Sequence, residues 1–383
     1  MGHYEVLGRY LPRDRGLLEE PPRESPGVKI LITGACGFVG GALIRTWVER
    51  KSGHEIFGLD NFIRPGSETN REALKKLGVR LFHGDIRMAS DFETLPDVDW
   101  VIDAAANPSV LAGVDGKTSS RQLIEHNLLG TLNMLEYCKA RKAGFILLST
   151  SRVYSIPALA ALPMESDGQA FTPEKSGKFP NGFTLEGVGE EFSTVPPLSL
   201  YGTTKAASET LALEYGETFN FPVWINRCGV MAGAGQFGHA EQGIFSFWIH
   251  SWLEGRPLRY IGFGGKGLQV RDCMHPRDIA SALDKQMRFA GTMPNRIFNF
   301  SGGAKNSMSL AQLSHWCRDR FGRHEVLADG RNRPFDIPWL VLDIALARKT
   351  WDWRPESGIE NVLTEIADFA KDHPRWLSMC AAG

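Results

Sequence analysis

The chain lacks any cysteine pattern that would pair or bind metal. Its six cysteines (Cys36, Cys138, Cys228, Cys273, Cys317 and Cys380) are dispersed over 383 residues, with no Cys-x-x-Cys and no Cys/His cluster. That spacing argues against structural zinc, and a chain of this length has no need of a disulfide framework, so six reduced thiols in a cytoplasmic protein are expected. An excess of charge of one sign is also missing: 43 Lys and Arg stand against 44 Asp and Glu, a formal net charge of −1. Without a basic face, neither nucleic acid nor an anionic membrane surface is an expected partner, and small molecules are favoured. No apolar run approaches the roughly 18 residues of a membrane span. The stretch 243–253 is short, carries His250 and reads as an amphipathic helix that buries its aromatics. Residues 1–27 carry mixed charge with Pro21, Pro22 and Pro26 but no apolar stretch; they read as an arm, not as a signal peptide.

What is present is the composition of an ordinary soluble protein, 43% hydrophobic and 23% charged, in a length that suits about two domains. Short apolar runs predict strands at 28–33, 55–60, 80–83, 100–105, 144–149 and 222–226. Helix-period stretches fall between them, at 38–50, at 123–141 and from Lys205 to about Phe219. Strands alternating with helices predict an α/β fold, a doubly wound parallel sheet over residues 28–230. From residue 231 to 383 the sequence is richer in glycine and aromatics and predicts a smaller mixed α/β lobe over the open end of the sheet, with segments returning to the first domain.

The strand at 28–33 runs into Thr33-Gly34-Ala35-Cys36-Gly37-Phe38-Val39-Gly40 and then into a helix. Glycines in this position turn the chain tightly and let its backbone approach a pyrophosphate at the positive helix N-terminus, the Rossmann-type arrangement for a dinucleotide. Asp60, at the end of the second strand, is placed to accept from both ribose hydroxyls and to repel a 2′-phosphate, which favours NAD over NADP. Asp85 and Ile86 follow the third strand and are placed for adenine. Ala104, Ala105 and Ala106 follow the fourth and permit close approach of the cofactor.

Tyr201 and Lys205 are four apart, on one face of a helix. A free tyrosine is a poor base at neutral pH, and a neighbouring ammonium would stabilise its phenolate. Thr150 ends the fifth strand, where ligands of parallel sheets bind, within reach of the same reacting oxygen. Thr150, Tyr201 and Lys205 are the candidate catalytic set.

With these residues in hand, the chain resembles the extended short-chain dehydrogenase/reductases, the nucleotide-sugar epimerases and dehydratases. The resemblance rests on the segments at 33–40, 59–61, 84–86, 149–154 and 201–205, and on Asn127 with Gly130-Thr131. It adds Phe38, Val39, Asn61 and Asn127 to the glycines Gly34, Gly37 and Gly40 as cofactor-binding residues. Within the family, Gln236-Phe237 through Gln242-Gly243, Gln269-Val270-Arg271-Asp272 and Pro180-Asn181-Gly182-Phe183 resemble the CDP-sugar 2-epimerases. That likeness implies a substrate site including Asn107, Arg152, Asn181, Gln236, Gln242, Arg271 and Arg333, the last two on the diphosphate. No metal is implied.

The implied reaction is transient oxidation of one carbon to a ketone and re-reduction from the other face, at C2 of a CDP-hexose, with Tyr201 removing and returning the hydroxyl proton. The family's dehydratases carry an Asp-Glu pair where this chain has Ser151-Arg152, which cannot serve as acid and base. Alternatives on the same scaffold are a 4-epimerase, a nucleotide-sugar dehydrogenase or reductase, and a binding module without catalysis. The family's habit implies a homodimer or homotetramer through helices near 121–141 and 203–219.

Overall fold

The computed structural model describes residues 27–116, 119–239 and 242–381; the arm expected at 1–27 lies, but for Gly27, outside them. Strands β1 (Lys29–Thr33), β2 (Glu55–Asp60), β3 (Arg80–His83), β4 (Trp100–Asp103), β5 (Gly144–Thr150) and β6 (Val223–Cys228) form where the apolar runs predict them. A seventh, β7 (Ile297–Phe300), lies outside the predicted set. Its apolar run is broken by Asn299, which is fully buried and satisfied there, donating to the Val188 carbonyl and accepting from the Tyr154 hydroxyl.

Across the sheet the order is β7-β6-β5-β4-β1-β2-β3, with every neighbouring pair parallel. The runs are continuously apolar because both faces are covered. Alternate side chains enter separate cores, Ile30, Ile32, Ile102, Ile146 and Phe298 on one face, Leu31, Val101, Phe145, Leu147 and Ile225 on the other. Ile102 is fully buried at the sheet centre. Ile102→Val is expected to lower stability by about 1 kcal/mol, read as a lower denaturant midpoint at unchanged slope. Strand order reverses between β1 and β4, and a crevice opens at their carboxyl ends.

Three helices bring side chains to that crevice. Helix α1 (Phe38–Glu49) follows β1, and α2 (Gly130–Arg141) is entered through a single π-helical turn, Glu125–Leu129. Helix α3 (Leu200–Phe219) begins ahead of its predicted start after Lys205, because the Ser199 hydroxyl caps it, accepting from the Gly202 N–H at 3.1 Å. Tyr201 therefore sits in the first turn of α3.

The second lobe packs α4 (Ile244–Leu253) and α5 (Ile359–Asp372) around Trp248, Trp252, Trp316 and Ile366, and the final helix α6 (Trp376–Ala381) lies against α4. Strand Val270–Met274 forms a small sheet with Val230–Met231, Ser307–Ser309 and Trp339–Leu340. Among the described residues no helix is long and apolar enough to cross a membrane.

Candidate active site

The turn from β1 to α1 is shaped by what its glycines lack. Gly34 has φ +65°, and a Cβ there would sit 3.0 Å from the Ala105 Cα; a Cβ on Gly40 would meet the Gly34 carbonyl at 2.4 Å. The N-cap of α1, Gly37, has no side chain to accept from the leading N–H groups of the helix, the arrangement that suits an anion at a helix N-terminus. Asp60 ties this turn to β2: one carboxylate oxygen accepts from Cys36 N at 2.8 Å and the other from Phe62 N at 2.8 Å. Burial raises its pKa while those backbone donors oppose the rise, and each oxygen keeps acceptor capacity for a ribose hydroxyl. An open backbone cradle, a helix N-terminus and a buried carboxylate together fit a dinucleotide.

Gly34, Gly37, Phe38, Val39, Asp60, Asn61, Ile86 and Ala104 to Ala106 wall one end of a cleft of about 610 Å³. Thr150, Tyr201 and Lys205 line its middle, and Arg152, Gln236, Gln242, Arg271 and Arg333 line the rest. At the middle, the Thr150 hydroxyl is bonded to the Tyr201 phenol and accepts from the Arg152 N–H at 3.2 Å. Burial pushes Tyr201 up to about 12, against which work the Thr150 bond and the charge of Arg152. The sequence assigns that charge to Lys205. In the structure Lys205 is buried beside Asp103, whose pKa burial raises and Lys205 pulls back. The Asp103 carboxylate also accepts from the Thr33 and Thr131 hydroxyls at 3.1 and 3.2 Å. The charge of Lys205 thus acts on Asp103, and the charge that acts on Tyr201 is that of Arg152.

The π-helical turn aims Asn127 inward rather than at the cleft. Its amide grips the backbone of Asn107 from both sides (2.8 and 3.1 Å) and donates to Thr204 at 3.1 Å, linking the segment after β4 to α3. Asn127 and Asn107 therefore lie behind the cleft wall, and Gly40 serves the turn rather than the surface. The Asp85 carboxylate, expected at adenine, is held between Arg87 and Asn61. Burial acts to raise its pKa, yet the Arg87 guanidinium and N–H, with Asn61, hold it well below the usual carboxylate range. Asn181 departs from its expected place: it is exposed and faces Glu191 at 3.4 Å, away from the cleft.

Three guanidiniums converge at the other end. Arg271 meets Asp336 at 3.4 Å, and Arg152 donates to the Phe335 carbonyl at 3.3 Å. Burial, then the charge of Arg271, lowers Arg152 to about 9, while Asp336 opposes and Arg333 adds to the repulsion. The convergence of Arg152, Arg271 and Arg333, with Asp336 among them, suits recognition of an anion such as a diphosphate. Gln269 belongs to the same cluster, donating to Asp336 at 3.0 Å, a role legible in hindsight from its place two residues before Arg271. Arg64, Ser67, His126 and Trp248 also wall the cleft, with no motif to announce them. Among the described residues no His/Cys/Asp/Glu group is arranged to hold a metal.

Comparison with known proteins agrees with this geometry. A model of the NAD dependent epimerase/dehydratase family matches residues 30–300. CDP-paratose 2-epimerase of Salmonella typhi is 26% identical over 355 residues, 89% of this chain and 99% of that protein. A dTDP-glucose 4,6-dehydratase of Streptomyces antibioticus is also 26% identical, over 91% of this chain and 94% of its own length. Among solved structures, UDP-glucuronic acid 4-epimerase of Bacillus cereus, in complex with UDP-glucuronic acid and NAD, superposes with a TM-score of 0.70 at 25% identity, covering 90% of this chain and 99% of that one. The chain accordingly uses NAD and belongs to the NAD-dependent epimerase/dehydratase family.

Proposed function

We propose that the protein is an NAD-dependent nucleotide-sugar epimerase acting at C2 of a CDP-hexose. The observation that carries this reading is the place of Arg152, between the Thr150–Tyr201 pair and the cluster of Arg271, Arg333 and Asp336. In a nucleotide sugar the C2 hydroxyl neighbours the anomeric oxygen that bears the diphosphate, whereas the C4 hydroxyl lies across the ring. A base and a diphosphate subsite that share one arginine suit the first. The likeness to the Salmonella typhi 2-epimerase supports the same choice.

On this reading Arg271 and Arg333 hold the diphosphate, with Asp336 fixing Arg271, and Gln236 and Gln242 face the nucleotide. Tyr201, as phenolate, takes the proton of the reacting hydroxyl and later returns it, while Thr150 donates to the same oxygen. NAD, held by the turn at 34–40 and by Asp60, would supply a reversible hydride acceptor for that carbon, and there would be no net oxidation. Ser151 and Arg152 offer no acid–base pair for loss of water, which sets dehydration aside. Assembly through the flank of α2 and α3 is part of the proposal; Ile124, Leu129 and Phe219 are exposed there.

The test is incubation with CDP-hexoses, followed at 340 nm and by NMR. A flat absorbance trace with a new C2 epimer is expected. Stoichiometric NADH would sink the epimerase reading in favour of a dehydrogenase, and a C4 epimer formed from a UDP-sugar would move the reaction to C4.

A further inference from the structure

At the far end of the cleft, the loop after β2 reaches across to the second lobe. It rises from Asp60, whose carboxylate accepts from Phe62 N at 2.8 Å, and it is stiffened by Asn61, which accepts from Ile63 N at 3.0 Å. Its half-buried Arg64 donates to the Phe237 carbonyl and meets His239 Nε2 at 3.4 Å. Beside it, Gly66 has φ +91°, and a Cβ there would lie 3.1 Å from the Phe237 ring. The loop thus presses on that ring as no other residue would allow. From the other side Trp376 of α6 stacks on Phe237, with ring centroids 5.5 Å apart and planes 18° apart, and donates to the Gln236 carbonyl at 2.8 Å. Asp60, Asn61, Arg64, Ser67, Gln236 and Phe237 all wall the cleft. The Ser67 hydroxyl is fully buried on that wall and has no hydrogen-bond partner among the described residues.

We infer that Arg64 is a positioning residue for the cofactor: it bolts the loop that leaves Asp60 to the segment 236–239 of the second lobe, closes the adenosine end of the cleft and so slows the escape of NAD. Ser67, on the inner side of that closure, presents its hydroxyl to the adenosine half. Breaking the bolt frees the loop at its tip while leaving the glycine cradle and Asp60 in place. Its effect therefore falls on how long NAD stays, not on which dinucleotide is chosen.

Release is read without substrate, by chasing NAD-loaded protein with labelled NAD and counting bound nucleotide after gel filtration, so the outcome does not depend on the sugar or the carbon proposed above. Arg64→Met keeps the apolar stem and removes the donors; removing hydrogen bonds made by a charged group predicts release about tenfold faster or more, and protein that purifies with less NAD. Release at the wild-type rate from a variant with a wild-type unfolding transition overturns the inference. Should Arg64→Met not fold, Arg64→Lys decides: with one ammonium replacing two anchored donors, release should still be faster, by roughly threefold, and an unchanged rate again overturns it.

Discussion

Tyr201→Phe is expected to lower kcat by about a thousandfold or more while the purified protein keeps its NAD. General acid–base groups contribute on the order of 10²–10⁴ in rate, and this phenol is asked both to take a proton and to return it. Phenylalanine fills the same space in the first turn of α3, so the wall of the cleft persists. The Thr150 hydroxyl loses one partner but still accepts from Arg152 N at 3.2 Å. On the proposed reading, the turn at 34–40 and Asp60 supply most of the hold on NAD, and neither is altered by the change. Product formation by NMR and NAD content after denaturation check the two halves separately. Turnover near the wild-type rate would remove Tyr201 from the role of base; loss of NAD would make the residue structural.

The second large effect is expected at Arg152, through pH. Burial raises Tyr201 to about 12 in the protein alone, and the charge of Arg152 is one of the two influences that pull it back. A base works deprotonated, so the rate climbs with pH until its pKa is passed. Removing the charge raises that pKa and moves the climb to higher pH; a pKa higher by one leaves about a tenth as much phenolate at neutral pH, and the rate falls with it. Arg152→Gln should therefore lose tenfold or more in kcat near pH 7, recover toward high pH, and be largely rescued by Arg152→Lys. A variant whose KM rises while the pH profile of kcat stays put would make Arg152 a diphosphate ligand with no hold on Tyr201.

Both predictions show what a sequence carries and what it leaves to the fold. The six strands and the glycine turn were legible because parallel strands are buried on both faces and read as unbroken apolar runs. β7 was not, because its buried Asn299 interrupts such a run and finds its partners in distant segments, at Val188 and Tyr154. Tyr201 and Lys205 could be paired from their spacing alone. That the charge of Lys205 acts on Asp103 could not, since the two are about a hundred residues apart in sequence and are brought near one another only by the fold. The pairing of Asp85 with Arg87, two residues on, was local and open to view. Asn181 was placed by resemblance, and the loop that carries it turns its amide toward Glu191 instead.

The bolt between Arg64 and Phe237, braced by Trp376, has a consequence for how the protein is made. The cradle of β1 and α1 leaves the ribosome well before α6, which lies far downstream in the chain. A nascent chain can therefore meet NAD early and let it go again. On the inferred role of Arg64, firm possession of the cofactor would be a late event of synthesis, reached when residues 376–381 have emerged and folded back. Clipping or masking that helix should yield protein that folds its sheet normally yet arrives empty.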